Sequence, residues 1–146
     1  MNEMIYIYNV MERLINYVKD SDDIPVAAAV LKDKKVITIQ KNSSENSIYH
    51  AEILAIIEAA RILNLKDLRG CEMVVTLEPC PMCMSAIILS KIERLYFGCR
   101  DFKIGAAESI FKLPYDKSFN HKVEVIGGIM EYECCQIIKN FFKKKR

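Results

Sequence analysis

Residues 73–83 read MVVTLEPCPMC, a short, largely apolar run followed by two cysteines set among prolines. A continuous apolar run of this length predicts a strand buried on both faces, over residues 73–77. Pro81 suits the first turn of a helix, where its missing N–H leaves no hydrogen bond unmade. We therefore predict a helix over residues 81–90, with both cysteines at the point where the strand ends and the helix begins.

The flanking sequence alternates between helix-like and strand-like segments. Apolar residues at helical spacing predict an amphipathic first helix, and two apolar runs joined by a short charged turn predict a hairpin. The predicted elements are a helix at 4–18, strands at 26–31 and 36–40, a helix at 50–64, strands at 94–98 and 123–126, and a last helix at 130–143. Strands interleaved with helices predict an α/β fold, a sheet covered on both sides, in one domain over residues 1–146.

The length and composition narrow the class of protein. The chain has 146 residues, of which 51% are apolar and 27% charged, as is typical of a soluble globular domain. It contains no uninterrupted apolar run of about 18 residues, the minimum for a transmembrane helix. The N-terminus carries Glu3 and has neither a basic segment nor a small-residue cleavage site, so it does not resemble a secretory signal. We therefore expect a cytosolic protein.

The six cysteines are Cys71, Cys80, Cys83, Cys99, Cys134 and Cys135. In a reducing compartment a disulfide framework is not expected, and a C-x-x-C pair indicates metal binding or a redox dithiol. Redox dithiols of the thioredoxin type come early in their fold, whereas Cys80 and Cys83 lie past the middle of the chain. We expect Cys99 to be an ordinary buried cysteine, although it could complete a structural zinc site. Cys134 and Cys135 are expected to serve packing.

A second fragment, His50-Ala51-Glu52, opens the predicted second helix, and 26 residues separate it from Pro79. One imidazole from His50 and two thiolates from Cys80 and Cys83 would give zinc three protein ligands. Three ligands leave the fourth tetrahedral position for water, which is the arrangement of a catalytic site. Glu52 could reach that water without binding the metal and act as a general acid and base. These fragments together predict a catalytic zinc centre.

The charge of the chain is unevenly distributed. The formal net charge is +2, and without the four basic residues at positions 143–146 it would be −2. A short basic C-terminus indicates either contact with nucleic acid or a well-solvated chain end.

The two fragments, HAE and PCPMC, are similar to the H-x-E…P-C-x-x-C pattern of zinc-dependent nucleoside deaminases. Further stretches resemble the bacterial tRNA adenosine deaminases, which convert the wobble adenosine of the anticodon to inosine; they are TLEPC at 76–80, FGCRD at 97–101, Lys103, GAA at 105–107, Asn120-His121, VEV at 123–125 and Gly127-Gly128. The resemblance runs from about Pro25 to the C-terminus.

This resemblance implies a three-layer α-β-α sandwich with a mixed five-stranded sheet, a homodimer and one Zn²⁺ per subunit. It implies that zinc-activated water attacks C6 of a flipped-out adenine while Glu52 carries a proton to the ring and then to the departing ammonia.

The resemblance also implies a set of substrate contacts. It assigns Asn42 to the target base, and it assigns the other contacts to the RNA of the anticodon stem-loop, namely Asp101, Lys103, Asn120, Phe142, Lys145 and Arg146. From the residues alone, Asn42 is better explained as a turn residue. Asn120 could be a turn residue before the fifth strand, and Asp101 with Lys103 a solvated ion pair. The basic C-terminus could likewise complement a helix dipole.

The chain departs from the family pattern at several positions. Glu108-Ser109 stands where the family usually has Gly-Ser, Ile48-Tyr49 precedes the HAE fragment, and Ala27 replaces a usual glycine. A carboxylate at position 108 would repel RNA phosphates unless it points away. These departures leave the zinc ligands intact, but they bear on how a substrate fits.

The sequence therefore predicts a tRNA adenosine deaminase that uses zinc. One alternative is a deaminase of a free nucleobase or nucleoside, such as guanine, adenine or cytidine, with the same metal centre. Another is a non-catalytic zinc protein that only binds RNA. Glu52 argues against this last alternative, because a structural zinc site has no use for a carboxylate there.

Overall fold

The computed structural model describes residues 4–144, which form a mixed five-stranded sheet flanked by four α-helices. The elements in chain order are α1 (Ile5–Val18), β1 (Ala27–Lys32), β2 (Lys35–Lys41), α2 (Ala51–Leu63), β3 (Cys71–Leu77), α3 (Pro81–Leu89), β4 (Arg94–Cys99), a 3₁₀ turn (Leu113–Tyr115), β5 (Glu124–Ile126) and α4 (Glu131–Lys144). Each helix and strand predicted from the sequence is present, with bounds that shift by one or two residues. The 3₁₀ turn was not predicted.

The strands lie in the order β2-β1-β3-β4-β5. β1 runs antiparallel to both β2 and β3, whereas β3, β4 and β5 are mutually parallel. The central strand β3 is buried along most of its length, as its continuous apolar sequence predicts. Because β3 and β4 are parallel, the residues that follow them, including Cys80 and Asp101, emerge at the same edge of the sheet.

Helices cover both faces of the sheet. On one face, α2 presents Ala51, Ala55 and Ala59 at a spacing of four residues, so that this helix lies close against the strands. On the other face, α1 buries an apolar stripe and α4 packs beside it. Each face has its own apolar core, which confirms the predicted three-layer α-β-α sandwich. None of the helices within residues 4–144 is long and apolar enough to cross a membrane.

The expectation that the cysteines are unpaired is wrong for Cys99 and Cys135, which form a disulfide with a Cα–Cα distance of 5.0 Å. Cys99 ends β4, and Cys135 lies in the first turns of α4, whose N-terminus packs against that end of the strand. The two cysteines are 36 residues apart in the sequence, so local sequence does not reveal that they are close in the fold. Cys134 is a free, buried cysteine, as predicted, and it packs over Gly98, where an added Cβ would lie 2.3 Å from the Cys134 Sγ.

Candidate metal centre and active site

The candidate metal ligands lie at the N-termini of two helices. His50 is the N-cap of α2 and Cys80 is the N-cap of α3, and both have extended backbone conformations. Pro81 occupies the first turn of α3, as predicted, and Cys83 lies in the same turn. A helix N-terminus favours negative charge, so that it stabilises thiolates in this position.

The three candidate ligands converge on one point. His50 Nδ1 lies 3.6 Å from the Sγ of Cys80 and 3.4 Å from the Sγ of Cys83. All three ligand atoms lie within 4.8 Å of one another. Sulfur and imidazole donors in this number and spacing fit Zn²⁺, which takes Cys and His ligands in a tetrahedral arrangement. The donor chemistry of the site therefore fits a zinc ion with an open fourth position.

The two thiols differ in their acidity. A hydrogen bond from Cys83 lowers the pKa of Cys80 to about 5, despite the burial of the Cys80 side chain. The same interaction and burial raise the pKa of Cys83. At neutral pH Cys80 is therefore a thiolate, the form in which cysteine binds a metal.

Glu52 lies in the first turn of α2 and is only 4% exposed. Burial raises the pKa of its carboxyl to about 7, and the negative charge of Cys80 acts in the same direction. Its carboxyl group also shares a hydrogen bond with Cys83, so that it lies beside the candidate ligands. A carboxyl with a pKa near 7 can both accept and donate a proton at neutral pH, which suits a general acid and base.

Asn42 directly follows β2 and begins the loop that leads to His50. The backbone N–H of Ser43 donates to the carbonyl of Tyr49, 3.0 Å away, so that Asn42 and His50 lie at the two ends of a closed loop. The Asn42 Nδ2 donates to Asp23 Oδ1 at 3.2 Å, and the other oxygen of Asp23 accepts from Ser44 N at 2.7 Å. Asp23 therefore fixes the side-chain amide of Asn42, whose oxygen faces away from that carboxylate. Asp23 was not predicted, since its partner Asn42 lies 19 residues away in the sequence.

Asp101 and Lys103 lie on the loop that follows β4. Asp101 Oδ1 accepts from the backbone N–H groups of Lys103 and Ile104 at 2.9 and 3.2 Å, so that this carboxylate helps to fold its own loop. Lys103 is exposed, beside Phe102, which is 73% exposed. The alternative interpretation, an ion pair between Asp101 and Lys103, is not among the salt bridges of residues 4–144.

The departure at Glu108 is explained by a local ion pair. Arg100 Nε donates to Glu108 Oε1 at 3.0 Å, and Arg100 Nη1 donates to Glu131 Oε1 on α4 at 2.7 Å. Both carboxylates are held by one guanidinium, so that Glu108 does not present an unpaired negative charge to an RNA phosphate.

The remaining predicted contacts are more peripheral. Asn120 is exposed in the segment before β5. Phe142 is 49% exposed near the end of α4 and packs edge-to-face on Phe141, with ring centroids 5.2 Å apart. Lys145 and Arg146 lie outside the described residues. The structure thus brings His50, Glu52 and the two cysteines together with Asn42 nearby.

Comparisons with known proteins agree with this geometry. A family model for the cytidine and deoxycytidylate deaminase zinc-binding region matches residues 1–99. The chain is 41% identical over 130 residues to the tRNA-specific adenosine deaminase of Aquifex aeolicus, covering 87% of this chain and 85% of that protein. It is 40% identical over 130 residues to the enzyme of the same name from Rickettsia bellii, covering 86% and 90%. The zinc-binding family confirms the prediction of a zinc cofactor.

Solved structures of deaminases share the fold of this chain. A structure from a study of A-to-I editing by tRNA:A34 deaminases at the wobble position of transfer RNA has a TM-score of 0.82 and 32% identity, covering 88% of this chain and 99% of that one. A guanine deaminase from Nitrosomonas europaea has a TM-score of 0.72 at 25% identity, covering 92% and 81%. The chain belongs to the cytidine and deoxycytidylate deaminase family and, within it, to the group of tRNA-specific adenosine deaminases.

Proposed function

We propose that this protein catalyses the hydrolytic deamination of adenosine to inosine at the wobble position of a tRNA anticodon. The observation that carries the proposal is the buried Glu52 carboxyl, with a pKa of about 7, beside the convergent donors of His50, Cys80 and Cys83. The names of the relatives supply the substrate class.

The chemistry divides between a metal ion and the Glu52 carboxyl. His50, Cys80 and Cys83 would hold Zn²⁺, which when bound supplies a Lewis acid that lowers the pKa of water to about 7. Glu52 takes one proton from the attacking water and delivers it to the adenine ring. It then takes the second proton from the hydroxyl now bonded to C6 and delivers it to the amino group, which leaves as ammonia.

Residues around the centre would hold the substrate. Asn42 offers an amide oxygen and one remaining N–H to the base, since its other N–H is engaged by Asp23. The exposed Lys103 and the basic end of α4 would meet RNA phosphates, with Phe142 as a stacking face. Asp101, Asn120, Lys145 and Arg146 complete the proposed RNA contacts.

The proposal extends to the state of the protein in the cell. Residues 1–146 would form a single deaminase domain in the cytoplasm, without association with a membrane. A homodimer is supported by large apolar side chains exposed on α2 and α3, among them Ile57 at 60% and Leu89 at 67%. Light scattering on the purified protein would establish its mass in solution.

The test of the proposed function is an assay on zinc-loaded protein. An anticodon stem-loop RNA with adenosine at the wobble position is compared with free adenosine, guanine and cytidine, and inosine or ammonia is measured. We expect inosine from the stem-loop and no turnover of the free compounds. Turnover of a free base together with an unreacted stem-loop would overturn the proposed substrate and leave the catalytic centre in place.

A second candidate is a deaminase of a free nucleobase. It is favoured by the structural similarity to the guanine deaminase of Nitrosomonas europaea. Activity of such an enzyme would not depend on the basic end of α4. The third possibility, a zinc protein that only binds RNA, predicts that none of the four substrates is turned over.

A further inference from the structure

Glu78 is a buried carboxylate that the proposed chemistry does not use. It is 2% exposed and follows β3 directly, one residue before Pro79 and two before the candidate ligand Cys80. A carboxylate is costly to bury unless its oxygens accept hydrogen bonds. The hydrogen-bond partners of Glu78 therefore indicate its structural role.

Within residues 4–144, the hydrogen bonds accepted by the Glu78 carboxylate come from the 101–109 loop, the segment after β4. Oε1 accepts from the backbone N–H of Asp101 at 3.0 Å and from the Ser109 hydroxyl at 2.5 Å. Oε2 accepts from the backbone N–H groups of Ala107, Glu108 and Ser109 at 3.1, 2.8 and 2.9 Å. Four of these donors are backbone groups, so that the carboxylate organises the path of the loop itself.

The loop is closed tightly around this carboxylate. An added Cβ on Gly105 would lie 2.5 Å from the Glu78 Cδ and 2.4 Å from the carbonyl oxygen of Asp101, so that only glycine fits there. The backbone N–H of Ala106 also donates to the Pro79 carbonyl at 2.8 Å. The loop is thus bonded to both of the residues that precede Cys80.

We propose that Glu78 is a positioning residue that fixes the 101–109 loop beside the Cys80 end of the metal centre and so determines where Asp101 and Lys103 meet the RNA. This inference rests on the proposed function for its RNA part. Its structural part, the fixing of the loop by Glu78, can be measured without any substrate.

The chemistry of the partners selects the test variant. All five partners donate to Glu78, and an amide at this position would turn one acceptor into a donor that faces the N–H of Asp101. Glu78→Gln therefore keeps the shape of the side chain but removes the match between its two acceptor oxygens and the five donors. Ser109→Ala is a milder variant that removes the hydroxyl bond and leaves the backbone bonds. Glu72→Gln is the matched control, since Glu72 lies near the start of β3, the strand that Glu78 follows, and is bonded to Tyr6 and Arg94.

Two readouts are measured on zinc-loaded proteins, namely amide hydrogen exchange by mass spectrometry and the kinetics on the anticodon stem-loop. For Glu78→Gln we expect faster exchange in peptides covering 101–109, unchanged exchange in α2, and full zinc content. We expect KM for the stem-loop to rise about tenfold, while kcat changes by less than about threefold. Ser109→Ala should shift both readouts in the same direction by a smaller factor, and Glu72→Gln should shift neither.

Several results would overturn the inference. Unchanged exchange in the 101–109 loop of both Glu78→Gln and Ser109→Ala would show that Glu78 does not fix it. An equal rise in KM for Glu72→Gln would indicate a general loss of stability, and loss of zinc from Glu78→Gln would indicate a role in the metal centre. If the wild-type protein leaves the stem-loop unreacted, the proposed function fails, and the exchange data alone decide the role of Glu78.

Discussion

The buried position of Glu52 determines the pKa of its carboxyl group. A glutamate in the first turn of a helix is ordinarily solvated and ionised, but here burial raises its pKa to about 7. We predict that Glu52→Ala lowers kcat on the stem-loop by about 10³-fold or more, because the proton carrier is lost. Zinc content, measured by atomic absorption, should stay at one per subunit, since Glu52 is not a ligand.

The matched control for this variant lies on the same helix. Glu58 pairs with Arg61 on the outer side of α2, away from the metal centre. Glu58→Ala should leave kcat and zinc content within error of the wild type. Zinc loss from Glu52→Ala would contradict the assignment, because it would make Glu52 part of the ligand set.

The acidity of the cysteines gives a second prediction. Burial raises the pKa of Cys71, and it raises the pKa of Cys134 to about 12, so that both remain protonated thiols at neutral pH. Cys80 has its pKa lowered to about 5 and is half-buried. After removal of zinc by a chelator, iodoacetamide at pH 7 should therefore label Cys80 first, as read by peptide mass spectrometry.

One further sample completes that experiment. Restoring zinc before labelling should protect Cys80, because a metal-bound thiolate is a poor nucleophile towards the reagent. Labelling of Cys71 or Cys134 ahead of Cys80 would contradict the assignment of acidity.

At the level of residues, the sequence predicts the candidates whose geometry is local. His50 and Glu52 share one helix turn, and Cys80 and Cys83 share another, so that their spacing alone brings each pair to one end of a helix. Asp23 and Glu78 could not be found in this way, because their partners are distant in sequence. The separation is 19 residues between Asp23 and Asn42, and 31 between Glu78 and Ser109.

At the scale of elements, the Cys99–Cys135 disulfide connects the end of β4 to α4. Closing a loop of this length stabilises the folded state by about 3 to 4 kcal/mol, because it restricts the unfolded chain. We predict that reductant lowers the free energy of unfolding of the wild-type protein by about this amount. The measurement is urea denaturation followed by circular dichroism, with excess zinc in every sample.

The variant Cys135→Ser provides the control for the reductant. It should have the stability of the reduced wild-type protein, and reductant should not change it further. A wild-type protein whose unfolding is insensitive to reductant would show that the two thiols do not form a stabilising bond in solution.

The helices and strands themselves were largely predictable. Apolar periodicity and the proline at the start of α3 predict elements that are determined locally, and the sheet buries them as expected. The order of the strands and the pairing of Cys99 with Cys135 depend on contacts between distant segments, which periodicity does not encode. The family resemblance supplied the mixed five-stranded sheet, and the structure confirms it.

At the scale of the whole molecule, two neighbouring depressions connect the end of α4 to Asn42. A depression between the helix ends is lined by Asp20, Ser21 and Asp22 together with Phe141 and Lys144 of α4. The same three residues also line a neighbouring depression with Asn42 and Lys41. The basic end of α4 is therefore separated from the candidate base-binding residue by one short segment, residues 20–22.

This continuity predicts how salt affects binding. Lys143→Ala/Lys144→Ala should weaken binding of the stem-loop and reduce the slope of log Kd against log salt by about 1.4 to 1.8, since each of the two phosphate contacts releases counterions. Fluorescence anisotropy at several salt concentrations measures the slope. The control, Lys35→Ala/Lys66→Ala, removes the same charge at the other end of the strands. Lys35 begins β2, and Lys66 lies in the segment after α2. It should leave the slope nearly unchanged, because those lysines are far from Asn42. An equal reduction in both variants would mean that net charge alone attracts the RNA, and that the end of α4 makes no specific contact with it.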